Sequence, residues 1–497
     1  MSDLLSMDQK KVKDLVLSRL REDAYVKVAG VDVDGILRGK IISRAKFLSV
    51  VDAGFGFCSV IFGWDMHDKT YAHRSAISNE ENGFRDMLAI IDLTSYRRIP
   101  WESTNGRLRG GSNEMPFFLV HFCDPETHAP IAPDPRSLLA TMASRIADSS
   151  AFKDLNPIAP FAGMEFEFFQ YRETHDTIYQ KRGLGLTPLT PGMFGYSVAR
   201  LGLNKEYQRE MLDSCESLGV GLEGWHTETG PGVFETAIGY CDARRLADNA
   251  TLFKFAAKTI GAQYGIMPCF MAKPQQGLPG NSGHIHVSLM ESIQNEDKSI
   301  TKRNLFTRTE RDTNAAWPDI EYLSDIGRHF LAGVLAGLPW VMPLFAPTIN
   351  SYKRLVENFW APVTVSWGLE HRVASIRLIC DPQSPKSTRF EVRTPGADVQ
   401  PHLALAAIYA LGLRGIEEKL ELTIPPMGAG KIDPSQFERL PRSLRAATER
   451  FMAKDSLARV VLGDDFVDHY GATRLHECRE WDDAVTNWEV ERYIETI

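Results

Sequence analysis

Met164-Glu-Phe-Glu-Phe168 sets two carboxylates, Glu165 and Glu167, two residues apart in apolar, β-prone surroundings. The same spacing recurs in Gly283-His-Ile-His-Val287 and Phe390-Glu-Val-Arg393, and two more carboxylates, Glu228 and Glu235, stand between the first two pairs in the chain. On a strand, residues i and i+2 project from one face. Several strands of one sheet would therefore aim carboxylates, imidazoles and a guanidinium into a common hollow. A divalent ion with oxygen ligands and an occasional imidazole suits that hollow, because an uncompensated carboxylate cluster repels itself and raises its own pKa values. Taken singly, each pair has a plainer reading: an acidic pair on a strand is more often a solvated face, and a lone His-x-His more often an accident of core or surface. Their joint occurrence carries the weight.

The 497 residues allow two to four domains, and 43% hydrophobic with 24% charged content is that of an ordinary globular protein. A net charge of -8 without a long Lys/Arg run argues against a nucleic-acid or membrane-surface protein. Seven scattered Cys without a Cys-x-x-Cys read as reduced core thiols of an intracellular protein. The first 21 residues lack an apolar signal core and no apolar run reaches membrane-spanning length, so a cytoplasmic location is expected.

Along the chain, residues 8 to 21 have helical spacing, and Tyr25 to Ile42 reads as two strands joined at Asp34-Gly35. A helix over roughly 44 to 53 and short strands to about 123 complete a small α+β unit. Asp124-Pro125 and the Pro-rich run 129 to 135 form a boundary, since prolines break ladders. Beyond it, the pattern predicts a strand at 164 to 170 and helices near 204 to 218, 242 to 264, 319 to 337 and 401 to 418. A helical tail is expected beyond Pro425. The polar stretch Glu291 to Trp317 reads as a mobile surface loop.

Asn350-Ser-Tyr-Lys-Arg-Leu355, with Glu165-Phe-Glu167, the Lys273-Pro274 to Leu289 segment, Arg372-Val-Ala-Ser-Ile-Arg377 and Arg389-Phe-Glu-Val-Arg393, resembles the glutamine synthetase family in the family's chain order. The likeness runs from about residue 25 to the C-terminus and is nearest the type I branch, including its glutamate-amine ligases. It implies an α+β fold: a small N-terminal β-grasp-like domain over 1 to 124, and a large catalytic domain over 130 to 497 with an open antiparallel β-barrel flanked by helices. It also implies a homo-oligomer, commonly two stacked hexameric rings, in which the N-terminal domain of one subunit closes the site of its neighbour. The implied chemistry is ATP-dependent: the γ-carboxylate of glutamate is phosphorylated, and an amine or ammonia displaces phosphate. Two or three Mg2+ or Mn2+ ions neutralise the phosphates, which accounts for the converging carboxylates.

Carried over by position, Glu167, Glu228 and Glu235 resemble ligands of a first metal, and Glu165, His284 and Glu391 those of a second. Arg354 resembles the arginine that holds the substrate α-carboxylate, Gly280 a backbone contact to glutamate, and Arg393 a contact to glutamate and the transferring phosphoryl group. Arg372 and Arg377 resemble arginines near the phosphates, which suits a fork of donors that stays charged; each arginine has a structural ion-pair role as the alternative. Glu223, His286, Ser288, Lys386 and Arg389 resemble nucleotide-site positions.

Departures from the family pattern bear on the amine. Trp360, in Phe359-Trp-Ala-Pro362, stands where ammonia-using type I enzymes carry a flap Glu that helps deprotonate ammonium. The segment that normally supplies an Asp for ammonium has Phe57 or Cys58 at the aligned place, with Asp65 as a substitute if the register shifts. Val233 and Pro279 replace a usual Gln and Asn. No Tyr occurs in Leu411 to Pro441, so the resemblance implies no tyrosine adenylylation. Three readings follow: a glutamate-amine ligase using an organic amine, a glutamine synthetase using ammonia, and a non-catalytic structural or regulatory relative. An aromatic wall suits an alkyl or aromatic amine, although cation–π attraction also allows ammonium beside Trp360.

Overall fold

The computed structural model describes residue 4 and residues 7–71, 75–103, 114–357, 360–428 and 434–497. Among the described residues the strands form two sheets, one before residue 124 and one after residue 157.

The first sheet contains β1 (Tyr25–Val31), β2 (Leu37–Ser43), β3 (Phe55–Cys58), β4 (Asp86–Ile91), β5 (Arg97–Ile99) and β6 (Met115–Cys123), in the order β2-β1-β6-β4-β3 with β5 also on β6. β1 and β2 pair antiparallel, as Asp34-Gly35 suggested, but Val31 opposes Leu37, so the connection is a five-residue loop and not a two-residue turn. Asp32 explains the extra length, because its carboxylate accepts the Asp34 and Ile36 N–H groups and winds the loop around itself. β1 and β6 run parallel. The expected helices appear at Gln9–Arg19 and Arg44–Val50.

The second sheet carries β7 (Ile158–Tyr171), β8 (Leu222–Thr227), β9 (Val233–Asp242), β10 (Met267–Cys269), β11 (Ile285–Gln294), β12 (Ile300–Asn304), β13 (Trp367–Leu369), β14 (Ile376–Ile379) and β15 (Arg389–Val392). Its order is β13-β14-β15-β11-β7-β9-β8, with β10 on β7 and β12 on β11. All pairings are antiparallel except β13 with β14. The polar stretch expected to be a loop begins as a hairpin: Ile300 to Asn304 pair with Gln294 to Met290. Ile-Thr-Lys-Arg-Asn is a strand without apolar alternation, held by backbone pairing at an edge, which a hydrophobic pattern cannot reveal.

β7 is the spine. Phe166 and Phe168 leave its back face and pack on Phe253 and Phe270, with Phe253 on the buried helix Ala243–Gln263. Glu165 and Glu167 leave the front. Helices Asp325–Gly337 and Pro401–Glu417 pack closely enough for a Cβ on Gly333 to fall 2.3 Å from the Leu411 carbonyl oxygen. The tail folds into further helices, among them Leu444–Met452 and Asp464–Asp483.

Charged pairs bind the two sheets' regions together. Arg136 donates from Nε and Nη2 to Asp248 at 2.9 Å each and from Nη2 to Asp92 at 2.7 Å, while His402 meets the same Asp248 at 2.9 Å. At the far end, the loop residue Asp34 accepts a 2.5 Å hydrogen bond from Arg474 of helix Asp464–Asp483. The cysteine reading needs one correction, since Cys58 is exposed, although Cys123, Cys215 and Cys478 are buried. No helix among the described residues is long and apolar enough to cross a membrane.

Candidate metal and nucleotide site

The strand registers bring the predicted side chains together. Glu167 stands opposite Glu235, Glu235 opposite His226, and His286 opposite Glu391, which itself opposes Arg377. Among the described residues, three groups place one ligand atom each within 4.8 Å of one another: Glu165, Glu235 and His284; Glu165, His286 and Glu391; His226, Glu228 and Glu235. His284 Nδ1 lies 3.4 Å from both Glu165 and Glu391, and His286 Nε2 lies 3.2 Å from Glu165. His226 Nε2 is 3.4 Å from Glu235 and its Nδ1 3.8 Å from Glu228.

This arrangement differs from the expected ligand sets at Glu167, His226 and His286. Glu167 enters none of the three groups; its carboxylate accepts the Ser282 N–H at 2.5 Å. His226 was not among the expected residues, yet it bridges Glu228 and Glu235. The signal was present, since His226-Thr-Glu228 repeats the i, i+2 spacing of the other pairs. His286, expected on the nucleotide side, faces the carboxylates as well.

The electrostatics fit a cation. Burial, reinforced by the charges of Glu167, Glu165, Glu228 and Glu391, pushes the Glu235 carboxyl up to about 9. Such a group accepts a divalent ion in place of its proton. Burial would also raise Glu165, but hydrogen bonds from His284 and His286 hold it well below the usual carboxylate range. For Glu391, burial is outweighed by His284 and Arg393, and its pKa also falls. Burial together with Arg393 lowers the His284 imidazole, keeping it neutral and fit to be a ligand. Carboxylates mixed with neutral imidazoles suit Mg2+ or Mn2+, with imidazole favouring the latter.

Behind this cluster lies a cavity of about 320 Å³ lined by Glu165, Glu223, Tyr240, His286, Ser288, Asn304, Lys386 and Arg389, among others. Of the residues expected near the nucleotide, Glu223, His286, Ser288, Lys386 and Arg389 line it, and Arg372 and Arg377 do not. Tyr240 and Ser288 share a short hydroxyl–hydroxyl hydrogen bond, and Arg389 Nε donates to His286 Nδ1 at 3.2 Å.

The arginines divide. Arg354 is buried and donates to the carbonyls of Thr394 and Arg393 at 2.9 and 3.0 Å; burial lowers its pKa to about 10. Gly280 sits against its stem, where an added Cβ would lie 2.9 Å from Arg354 Cγ. Arg393 pairs closely with Glu391. Arg377 is in ion pairs with Glu370 and, at 3.1 Å, with Glu391, and does not line the cavity; nor does Arg372, which is exposed. Trp360 is exposed, with the left-handed φ of 58° that bulky residues rarely adopt, while its neighbour Phe359 lies outside the described residues. Phe57 is partly buried against Phe122. Asp65 is committed elsewhere, accepting the His67 and Lys69 N–H groups and meeting His476 at 3.2 Å.

A sheet that presents carboxylates, imidazoles and guanidinium groups beside a cavity of about 320 Å³ defines a mixed α/β protein suited to holding cations and oxyanions together. The chain belongs to the glutamine synthetase family: that family's catalytic domain matches residues 132–493. It is 41% identical to type-1 glutamine synthetase 2 of Dictyostelium discoideum, over 98% of this chain and 87% of that one. It is 30% identical to a Pseudomonas glutamate–isopropylamine ligase, over 95% of both chains, and 32% identical to a gamma-glutamylethanolamide synthetase of Streptomyces coelicolor, over 95% of this chain and 93% of that one. A solved GmaS/ADP complex, 24% identical, superposes with a TM-score of 0.74 over 96% of this chain and 98% of that one, and so shares its mixed α/β fold with a curled half-barrel sheet.

Proposed function

We propose that this chain is an ATP-dependent ligase that joins an amine to the γ-carboxylate of glutamate through a γ-glutamyl phosphate, with an organic amine preferred to ammonia. The observation that carries the ligase reading is the three-fold convergence of carboxylates and imidazoles beside the cavity lined by Glu223, Ser288, Lys386 and Arg389. In this reading Glu165, His284, His286 and Glu391 hold one divalent ion, and Glu228, Glu235 and His226 another, with Glu167 completing the second set. Bound there, Mg2+ or Mn2+ supplies charge neutralisation for the phosphates. Arg354, pinned by two carbonyls, fixes the glutamate α-carboxylate, and Gly280 leaves room beside it. Arg393 and Arg372 offset charge on the transferring phosphoryl group, and Arg377 joins them by exchanging Glu370 for a phosphate oxygen. These assignments favour a catalytic chain over a structural relative, because such a buried set of like charges is otherwise only costly.

Trp360 and Phe57 carry the amine preference. Both are apolar where the family resemblance has acids that hold ammonium, and the relatives named for isopropylamine and ethanolamide chemistry support it. Ammonia is the second reading, favoured by the 41% identity to a type-1 glutamine synthetase. The deciding experiment is ATP-dependent phosphate release with glutamate and a panel of alkyl amines, aromatic amines, diamines and polyamines beside ammonia. At least one amine should exceed ammonia in kcat/KM; ammonia equal to or better than every amine sinks the preference. No release with any of them sinks the ligase.

The Pro-rich segment is proposed as the boundary between a β-grasp-like domain ending near 124 and a catalytic domain beginning near 130. The assembly proposed is two stacked hexameric rings, in the cytoplasm, with Phe57 facing a neighbour's site. Sedimentation as an active monomer at micromolar concentration would refute the assembly.

A further inference from the structure

Between β14 and β15 the chain makes an excursion, residues 380–388, that supplies Lys386, Ser387 and Thr388 to the wall of the nucleotide-sized cavity. Residues 381–384 and 386 are exposed, and the excursion is wound mainly from local turns: Ser384 N–H to Asp381, Ser387 N–H to Ser384 and Thr388 N–H to Pro385. Such turns shape a loop but do not fix it to the body of the protein. A buried side chain on the neighbouring hairpin links it to the body, beside the bond that Arg389 of β15 makes to the Ser387 carbonyl. Asn304, at the end of β12 and 5% exposed, donates from Nδ2 to the Lys386 carbonyl at 3.2 Å and to the Thr388 carbonyl at 2.6 Å. Its Oδ1 accepts the Phe306 N–H at 3.0 Å. Both amide protons and the amide oxygen are thus engaged, and a primary amide provides that combination of donors and acceptor at so short a reach.

We infer that Asn304 is a positioning residue for nucleotide binding, acting through the excursion that carries Lys386 and leads into Arg389. Arg389 is tied to the same unit, since its Nη1 donates to the Ser387 carbonyl at 2.8 Å while its Nε reaches His286. Loss of the amide leaves the Thr388 carbonyl and the Phe306 N–H without this partner at buried positions and frees the Lys386 carbonyl, and the wall relaxes toward water to recover them. The glutamate side, built on Arg354, Gly280 and Arg393, shares no hydrogen bond with Asn304. The loss therefore falls on the nucleotide.

This inference rests on the nucleotide reading of the cavity proposed above, and the test separates the two. Binding of ADP with Mg2+ is measured by calorimetry on wild type, Asn304→Ala and Asn304→Ser, with KM for ATP and for glutamate measured in parallel. Asn304→Ala should weaken ADP about tenfold or more and raise KM for ATP to match, with KM for glutamate within twofold. Asn304→Ser, which keeps one hydroxyl donor, should fall between and covers the case in which the alanine variant fails to fold. In a Lys386→Ala background the further loss from Asn304→Ala should be clearly smaller, because the two act through one wall. Unchanged ADP affinity in the folded variants, or equal loss in both KM values, overturns the inference while leaving the function standing. No ADP binding by the wild type overturns the proposed function and this inference with it.

Discussion

Gly280→Ala tests the glutamate site with a single methyl group. The backbone φ there is not left-handed, so alanine meets no conformational penalty and the effect is one of space. The new Cβ would lie 2.4 Å from the Ala272 carbonyl oxygen and 2.9 Å from Arg354 Cγ, where ordinary contact begins at 3.4 Å. Both contacts must be relieved, the Arg354 stem giving way by roughly 0.5 Å and the backbone at Ala272 by roughly 1 Å, and overpacking of this kind costs about 1–3 kcal/mol. Arg354 cannot yield freely, because its guanidinium is held by the Thr394 and Arg393 carbonyls. Its donors should therefore be misaimed at the substrate carboxylate. A displacement near 1 Å in a positioning group lowers kcat/KM by up to about a hundredfold. The assay is phosphate release with glutamate varied at saturating ATP, with ADP binding measured alongside. The expected result is a ten- to hundredfold fall in kcat/KM for glutamate, on the order of that misplacement, with ADP affinity unchanged. Gly221→Ala is the control, since nothing lies within 4 Å of its added Cβ. A KM for glutamate within twofold of wild type, in a folded Gly280→Ala protein, would refute the placement of the glutamate site against Arg354.

Glu228→Ala and Glu165→Ala should each lower phosphate release by two or more orders of magnitude at limiting Mg2+, because a charge-neutralising ion loses a ligand; full activity in both would remove the cluster from catalysis. His226→Ala should weaken the response to Mn2+ more than to Mg2+, read as the metal concentration for half-maximal activity, since imidazole favours the softer ion. Trp360→Glu should shift the ratio of kcat/KM for ammonia over an alkyl amine toward ammonia, each buried methylene being worth about 0.8 kcal/mol; an unchanged ratio would remove Trp360 from the amine pocket. Asp248→Ala should cost roughly 3–5 kcal/mol, more than Asp92→Ala, because it removes two of the three hydrogen bonds of Arg136, leaving only Asp92, and takes away the carboxylate that meets His402, as denaturant unfolding would show. Burial lowers the His402 pKa, and Asp248 lies below its usual range because Arg136 and His402 outweigh burial. The unfolded chain therefore binds more protons at both positions. Stability should fall as pH drops below about 6.5 and again below about 4, with His402→Gln flattening the first part.

Much of the candidate cluster could be read from the chain because its side chains are strand-borne. The i, i+2 spacing of Glu165 with Glu167 and of His284 with His286 survives folding unchanged, since pleating fixes the face of each side chain without reference to the rest of the molecule. Grouping is a different matter. Which carboxylate meets which imidazole depends on register across β7, β9 and β11, and no single strand encodes register. That is why Glu167 pairs with the Ser282 N–H and His226 takes a place among the carboxylates. Arg377 shows the same limit, since its partner Glu370 is close in sequence but reaches it through a parallel strand pair that local pattern does not announce. The β12 strand was hidden for a simpler reason: apart from the exposed Ile300, its residues are polar on both faces.

The bond from Arg474 to Asp34 joins residues 440 positions apart. A ribosome adding about 5–20 residues per second would expose the β1–β2 hairpin tens of seconds before its partner is made. Through that interval Asp34 has no buried counter-ion, and the tip of the hairpin is free to sample other positions. The N-terminal sheet's strands are complete by residue 123 and Arg136 with Asp248 follows well before the tail, but the hairpin tip must wait for helix Asp464–Asp483 to supply Arg474. Premature termination before residue 474 should therefore release a chain whose hairpin tip lacks this anchor, while Arg136 can still tie Asp92 to Asp248.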